Sequence, residues 1–191
     1  MSKTALIVLD LQNGIVDGHF KDTKAEYLSL VSTATKRARE AGIHIIHVKT
    51  CFRPGHPEIS KNNYMLAPVA SFGVFVEGNP MTDIAPEVAP VEGDIVMIKR
   101  RVSAFSGSDL DTVLRGLGVD SLVLAGVATS GAVLSTMREA ADLDFNLLVV
   151  GDLCRDQDDE VHRVLLEKVF PRQGRVLSTE EWFKELSKGG E

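Results

Sequence analysis

The side chains of this chain that could do chemistry fall just behind runs of apolar residues. Asp10, Gln12 and Asn13 follow Ala5-Leu6-Ile7-Val8-Leu9, and Thr50, Cys51, Phe52 and Arg53 follow the run from Ile43 to Lys49. Lys99 closes the run from Asp94, with Arg100 and Arg101 behind it. The turn Gly126-Val127-Ala128-Thr129-Ser130-Gly131-Ala132 follows Ser121 to Ala125, and Asp152 and Cys154 follow Leu147 to Val150. An aspartate facing a lysine is raw material for acid–base chemistry, because the ammonium holds the carboxylate ionised or shares a proton with it. The same pair can equally be a structural ion pair, and spacing alone does not separate the two. The glycine-bearing turn leads into a helix, so its N–H groups form a generic anion or oxyanion site. It has neither the Gly-Lys-Ser/Thr ending of a phosphate loop nor the three-glycine dinucleotide pattern.

The remaining reactive types read mostly as packing. Cys51 and Cys154 are read as small buried apolar residues. Ser103 and Ser130 have no histidine placed beside them to activate a hydroxyl, and Ser130 reads as a helix cap. His44 and His47 alternate with apolar residues inside a strand and read as structural. Arg53 and Arg101 are each either a two-pronged carboxylate ligand or a solvated arginine.

The elements that must position these groups alternate. Ala5–Leu9 is a continuous apolar strand of the kind covered on both faces. A helical pattern from about Lys21 to Ala41 ends at Gly42. Strands follow at 43–49, 94–99, 121–125, 147–150 and 175–177, with helices at 109–117, 130–142 and 158–170. Thr179 reads as the cap of a closing helix. Such alternation with short connections gives an α/β protein with a parallel sheet and helices on both faces, whose ligands bind beyond the carboxyl ends of the strands. Residues 1–191 read as one domain. Only 50–92 breaks the rhythm: this proline- and aromatic-bearing insertion reads as a pocket wall or lid, an oligomer contact, or both.

Composition narrows the function classes. A net charge of -6 argues against nonspecific nucleic-acid binding, which needs clustered cations. Two cysteines are too few for a disulfide framework and suit a reducing compartment. No apolar run approaches a membrane span, and the opening stretch is shorter than a signal peptide's apolar core. The expectation is a cytoplasmic protein with no membrane or nucleic-acid partner.

Leu9-Asp10-Leu11-Gln12-Asn13, then Ile98-Lys99-Arg100-Arg101-Val102-Ser103-Ala104-Phe105, then Gly126 to Gly131 with Leu134-Ser135-Thr136, together resemble isochorismatase-like cysteine hydrolases over nearly the whole chain. The resemblance implies a three-layer α/β/α fold with a six-stranded parallel sheet in the Rossmann-like order 3-2-1-4-5-6. It also implies a small-molecule substrate, no cofactor, and a homodimer or homotetramer. It assigns the catalytic acid to Asp10, its partner to Lys99, and the nucleophile position to Ala132, which carries no thiol. It places a cis peptide between Val127 and Ala128, in a turn that with Ala132 faces a substrate oxygen. Gln12, Phe52, Arg53, Tyr64, Arg101, Phe105 and Thr129 fall where substrate contacts are expected. The nicotinamidase branch binds metal through an Asp-x-His pair that 49–56 lacks, so no metal is expected. Alanine at 132 leaves three readings open. The chain is a hydrolase of a small amide, imide or enol ether that works without a thiol; or a silent binding protein on an enzyme scaffold; or an engineered Cys-to-Ala variant.

Overall fold

The computed structural model describes residues 3–20 and 22–188; Met1, Ser2 and the expected helix start at Lys21 lie outside them. Strand β1 (Thr4–Leu9) sits mid-sheet and sends alternate side chains to opposite faces. Ala5, Ile7 and Leu9 enter one buried cluster and Leu6 and Val8 the other, which is why the run is apolar throughout. Strands β2 (His44–Thr50), β3 (Ile95–Lys99), β4 (Ser121–Val127), β5 (Asn146–Arg155) and β6 (Arg175–Leu177) complete an all-parallel sheet ordered β3-β2-β1-β4-β5-β6. The order reverses between β1 and β4, so a crevice opens beyond the carboxyl ends of those two strands.

Helices cover both faces. Leu110 and Leu114 of α4 (Leu110–Leu117) and Met137 and Ala140 of α5 (Leu134–Asp142) pack on the Ile7 side. Val16 of α1 (Asn13–His19), Leu28 and Val31 of α2 (Lys24–Glu40) and Trp182 of α7 (Thr179–Lys188) pack on the Leu6 side. Among the described residues no helix is long and apolar enough to cross a membrane.

Several boundaries differ from those read in the sequence. Helix α1 is short and carries Gly14 and Gly18, so no helical period announces it; the Asn13 amide donating to Pro80 O at 3.1 Å ties it down. Ser130 does not cap the helix after β4. The chain turns at Ala128 into a wide π turn (Thr129–Val133) that runs on into α5, with Ala128 in the cap position and no side-chain bond there. The cap of α7 sits one residue earlier than Thr179. Ser178 and Glu181 form a reciprocal box, Ser178 N to Glu181 Oε2 at 2.8 Å and Glu181 N to Ser178 Oγ at 3.2 Å. Thr179 instead binds Asp152 through its own N–H and hydroxyl. The helix after β5 is α6 (Asp159–Val164), which passes through a wide turn (Leu165–Val169) into a 3-10 turn (Phe170–Arg172).

The 50–92 insertion is folded back onto the body. Phe52 pairs with Val76, with Phe52 N to Phe75 O at 2.8 Å, and helix α3 (Ala67–Phe72) lies between them in sequence. Ala85 N donates to Leu11 O at 2.8 Å, so the far end of the insertion is pinned beside β1.

Candidate active site

Each group at the sheet's mouth is delivered by strand register. Thr50 lies opposite Lys99 in the β2–β3 pairing, and Leu9 lies opposite both Val48 and Gly126. Asp10, the residue after Leu9, adopts a left-handed backbone with φ 56° while its N–H still bonds Val48 O at 2.8 Å. Gly126 makes this approach possible: a Cβ built there would stand 2.1 Å from Leu9 O, and its φ of +120° disfavours any side chain.

Three side chains then meet. Lys99 Nζ lies 2.8 Å from Asp10 Oδ2, and both residues are buried, at 3% and 5% exposure. The Thr50 hydroxyl bridges them, accepting from Lys99 Nζ at 2.8 Å and donating to Asp10 Oδ1 at 3.0 Å. The third ammonium proton goes to Arg101 O at 3.2 Å, so every donor on Lys99 has an acceptor. A buried charge pair persists only when its remaining valences are filled in this way.

Asp10, Thr50 and Lys99 face a cavity of about 390 Å³, within the range of small-ligand sites. Val127, Ala128, Gly131 and Ala132 form one wall, at the beginning of the helix, and the Val127–Ala128 peptide bond is cis. Ile15, Phe20, Met65, Leu66 and Phe75 supply apolar walls from α1 and the insertion. Arg101, Ser130 and Asp156 bring polar groups to the lining. Asp156 accepts from the Ser130 N–H at 2.7 Å and the Gln157 N–H at 2.9 Å, so this carboxylate is already engaged by the main chain.

Of the residues singled out in the sequence, Asp10, Lys99, Arg101, Val127, Ala128, Ser130 and Ala132 share this cavity. The others lie outside its lining. Gln12 is fully buried beneath it, gripping Thr50 in both directions (Nε2 to Thr50 O, 2.8 Å; Thr50 N to Oε1, 2.7 Å) and donating to Thr82 O at 2.9 Å. Phe52 is buried under the insertion against the His56 ring, and Phe105 lies in the core against Phe145. Arg53 points to solvent and pairs with Glu58 at 2.6 Å, and Tyr64 is 96% exposed. Thr129 is buried behind the wall, its hydroxyl 2.8 Å from His162 Nδ1. Burial, helped by the Arg155 charge, holds the His162 ring below the ordinary imidazole range and therefore neutral at pH 7.

Thr50 stands at a strand end in the sequence, but nothing there assigns it a role. Its signal was positional, directly across from Lys99 in adjacent strands, and becomes visible only once the register is known. Cys51 and Cys154 are free and buried, and neither lines the cavity. Among the described residues no group of three or more His, Cys, Asp or Glu side chains is arranged to hold a metal ion. A second cavity of about 440 Å³, bordered by Thr4, Ser121, Asn146 and Trp182, lies at the opposite, amino ends of the strands. It holds no such carboxylate–ammonium–hydroxyl triad.

A parallel sheet of this order, with an acid–lysine pair at its switch point and a helix beginning alongside, defines a doubly wound α/β protein with its ligand site beyond the carboxyl ends of the strands. The isochorismatase domain model matches residues 4–181, and the chain belongs to the isochorismatase family. An uncharacterised isochorismatase-family protein, YwoC, of Bacillus subtilis is 32% identical over 96% of this chain and 94% of its own length. A maleamate amidohydrolase of Pseudomonas putida is 30% identical over 78% of this chain and 69% of its own. A ureidoacrylate amidohydrolase, RutB, of Stutzerimonas stutzeri is 29% identical over 95% and 78%. In fold the chain resembles the crystal structure of a cysteine hydrolase from Pseudomonas syringae, with TM-score 0.89 over 98% of this chain and 93% of that one, at 21% identity.

Proposed function

We propose that this protein hydrolyses the amide, imide or enol-ether bond of a small cytoplasmic metabolite, with Asp10 as acid–base group and Lys99 as its electrostatic partner. The observation that carries the reading is the 2.8 Å Asp10–Lys99 pair on the floor of a cavity sized for a small ligand. Relatives named as amidohydrolases support the choice of bond.

Ala132 offers no thiol, so the attacking oxygen is water. For an amide or imide, Asp10 takes a proton from that water as its oxygen bonds to the acyl carbon, and the carbonyl oxygen becomes an oxyanion facing those N–H groups of the 127–132 turn that Asp156 and Ala128 O do not already hold. On collapse the carbon–nitrogen bond breaks, and the proton on Asp10 passes to the departing nitrogen. Lys99 balances the carboxylate's charge, and Thr50 fixes its orientation. The 50–92 insertion serves as pocket wall, and its exposed Tyr64 and Phe72 support a second role as contact surface in a homodimer or homotetramer.

The test is release of ammonia or acid from a panel of small amides and imides, and of the carbonyl product from enol ethers. Asp10→Asn should cut turnover by about 10²–10⁴-fold, the usual worth of a positioned acid–base group. Protein that binds panel members yet turns none over would sink the enzyme reading. Ala132, a methyl where the family resemblance expects a thiol, then favours the second reading, a silent small-molecule-binding protein.

A further inference from the structure

Among the described residues every arginine but two meets a carboxylate, a carbonyl or an aromatic face. Arg39 takes Asp94, Arg175 takes Glu185, Arg101 takes the Arg100 carbonyl, and Arg37 lies over the Phe183 ring. The two exceptions, Arg138 of α5 and Arg172 of the 3-10 turn after α6, border one and the same cavity, about 420 Å³ in volume. Lys168 is the third cation on its wall and is likewise without a partner. Val169 and Gln173 complete the lining, and no carboxylate enters it. The Gln173 side-chain oxygen Oε1 is buried with no hydrogen-bond partner, so this wall also holds an uncommitted amide.

Such a grouping is unfavourable in the free protein. Lys168 and Arg172 stand four residues apart, a spacing at which like charges repel along a helical segment, and Arg138 is brought to the same hollow from another element. The chain as a whole carries a net charge of -6, yet none of its carboxylates answers these three cations. A hollow lined by one sign of charge concentrates counter-ions of the other. The residue types indicate which anion. Two guanidinium forks bind phosphate oxygens in pairs, and an ammonium adds a point charge. A single phosphate group carries at most about -2 at neutral pH, less than the three cations offer, whereas a diphosphate matches them. Nucleic acid would need a longer track of cations. Val169 is the one aliphatic side chain in the lining, so the anionic group and not a carbon skeleton must supply the hold.

We propose that the cavity between Arg138, Lys168 and Arg172 binds the diphosphate group of a small metabolite, at a site that shares no lining residue with the cavity of Asp10 and Lys99. Binding there does not depend on turnover at Asp10.

Titration calorimetry with pyrophosphate, orthophosphate and magnesium-free ATP reads this site directly. Wild-type protein should take up one pyrophosphate per chain, about 10- to 100-fold more tightly than orthophosphate, the worth of one further hydrogen bond between charged groups. The affinity should fall as salt is added. ATP bound as tightly as pyrophosphate, or more so, makes the source a nucleotide; weaker binding of ATP makes it a bare diphosphate. Arg138→Gln and Arg172→Gln should each weaken pyrophosphate about 10-fold or more. Arg101→Gln, which removes a cation from the other cavity, should leave that affinity unchanged. Arg138 and Arg172 are exposed and unpaired, so both variants should melt with the wild type in the absence of ligand, and pyrophosphate should raise the wild-type Tm more than theirs. No saturable binding of pyrophosphate or ATP, equal affinity for orthophosphate, wild-type affinity in Arg138→Gln and Arg172→Gln, or a loss in Arg101→Gln instead overturns the assignment.

Discussion

Replacing Thr50 by valine keeps the side chain's shape and deletes one oxygen, the oxygen that accepts from Lys99 Nζ at 2.8 Å and donates to Asp10 Oδ1 at 3.0 Å. The ammonium then keeps Asp10 Oδ2 at 2.8 Å and Arg101 O at 3.2 Å and loses its third acceptor. A hydrogen bond to a charged group contributes about 1.5–3 kcal/mol, and stranding a buried charged donor costs a similar amount. The two bonds share one hydroxyl, and the cavity admits water that can replace part of the loss, so the net destabilisation is about 2–4 kcal/mol. In a chain of this size that lowers Tm by roughly 5–15 °C. Turnover should fall about 10- to 100-fold in kcat, because the carboxylate loses the bond that aims it. Thr50→Ser restores the oxygen and should recover most of both losses. Urea denaturation and calorimetry read the stability, and steady-state kinetics the turnover. A Thr50→Val protein within about 0.5 kcal/mol of wild type would refute the bridging role. Equal damage in Thr50→Ser would assign the loss to packing instead.

Further outcomes follow from the surroundings of the titratable groups. Burial holds the His47 ring below the ordinary imidazole range despite Asp94 beside it, so the unfolded chain takes up its proton first. Stability should therefore drop as pH falls below about 6.5 towards the folded value, and His47→Phe should remove part of that drop in urea midpoints from pH 8 to 5; a flat wild-type profile would refute it. Burial pulls the Asp94 carboxyl upward, but hydrogen bonds from Arg39 and the Val91 N–H outweigh it and hold the carboxyl below the ordinary range. Its contribution is thus whole above about pH 4 and lost as pH falls through the lower folded value, so Asp94→Asn should destabilise at neutral pH and shrink the loss in acid. Iodoacetamide near neutral pH should leave the wild-type protein unlabelled, since burial raises the Cys51 thiol and pushes Cys154 up to about 12. Ala132→Cys should take up a single adduct, visible by mass spectrometry, because its thiol would line the cavity at a helix start beside Lys99. An unlabelled variant would refute that placement.

The sheet was legible because burial on both faces forces unbroken apolar runs, as in Ala5–Leu9 and in Ser121–Ala125, which the structure extends to Val127. Asp10 and Lys99 were legible because strand ends locate them without any knowledge of side-chain geometry. Hydrogen-bond partners were not. Gln12 reads like a substrate contact, yet its amide replaces a missing strand neighbour for Thr50, and nothing in the residue type separates the two roles. Arg53 and Arg101 were equivalent in sequence until Glu58, five residues from Arg53, proved to be the partner of one and not of the other. Caps shifted by a residue or two, at Ser178 and Ala128, because serine and threonine neighbours compete for one position and a π turn obeys no helical period.

The methyl group of Ala132 has a consequence beyond the reaction it forecloses. A site built around a thiolate is consumed by peroxide, by disulfide exchange and by electrophilic metabolites. Here the described cavity lining carries no thiol, and both cysteines are sealed in the interior. The acid–lysine pair that faces this cavity is thus out of reach of thiol oxidation and disulfide exchange, and Met65 is the oxidisable side chain left in the described lining.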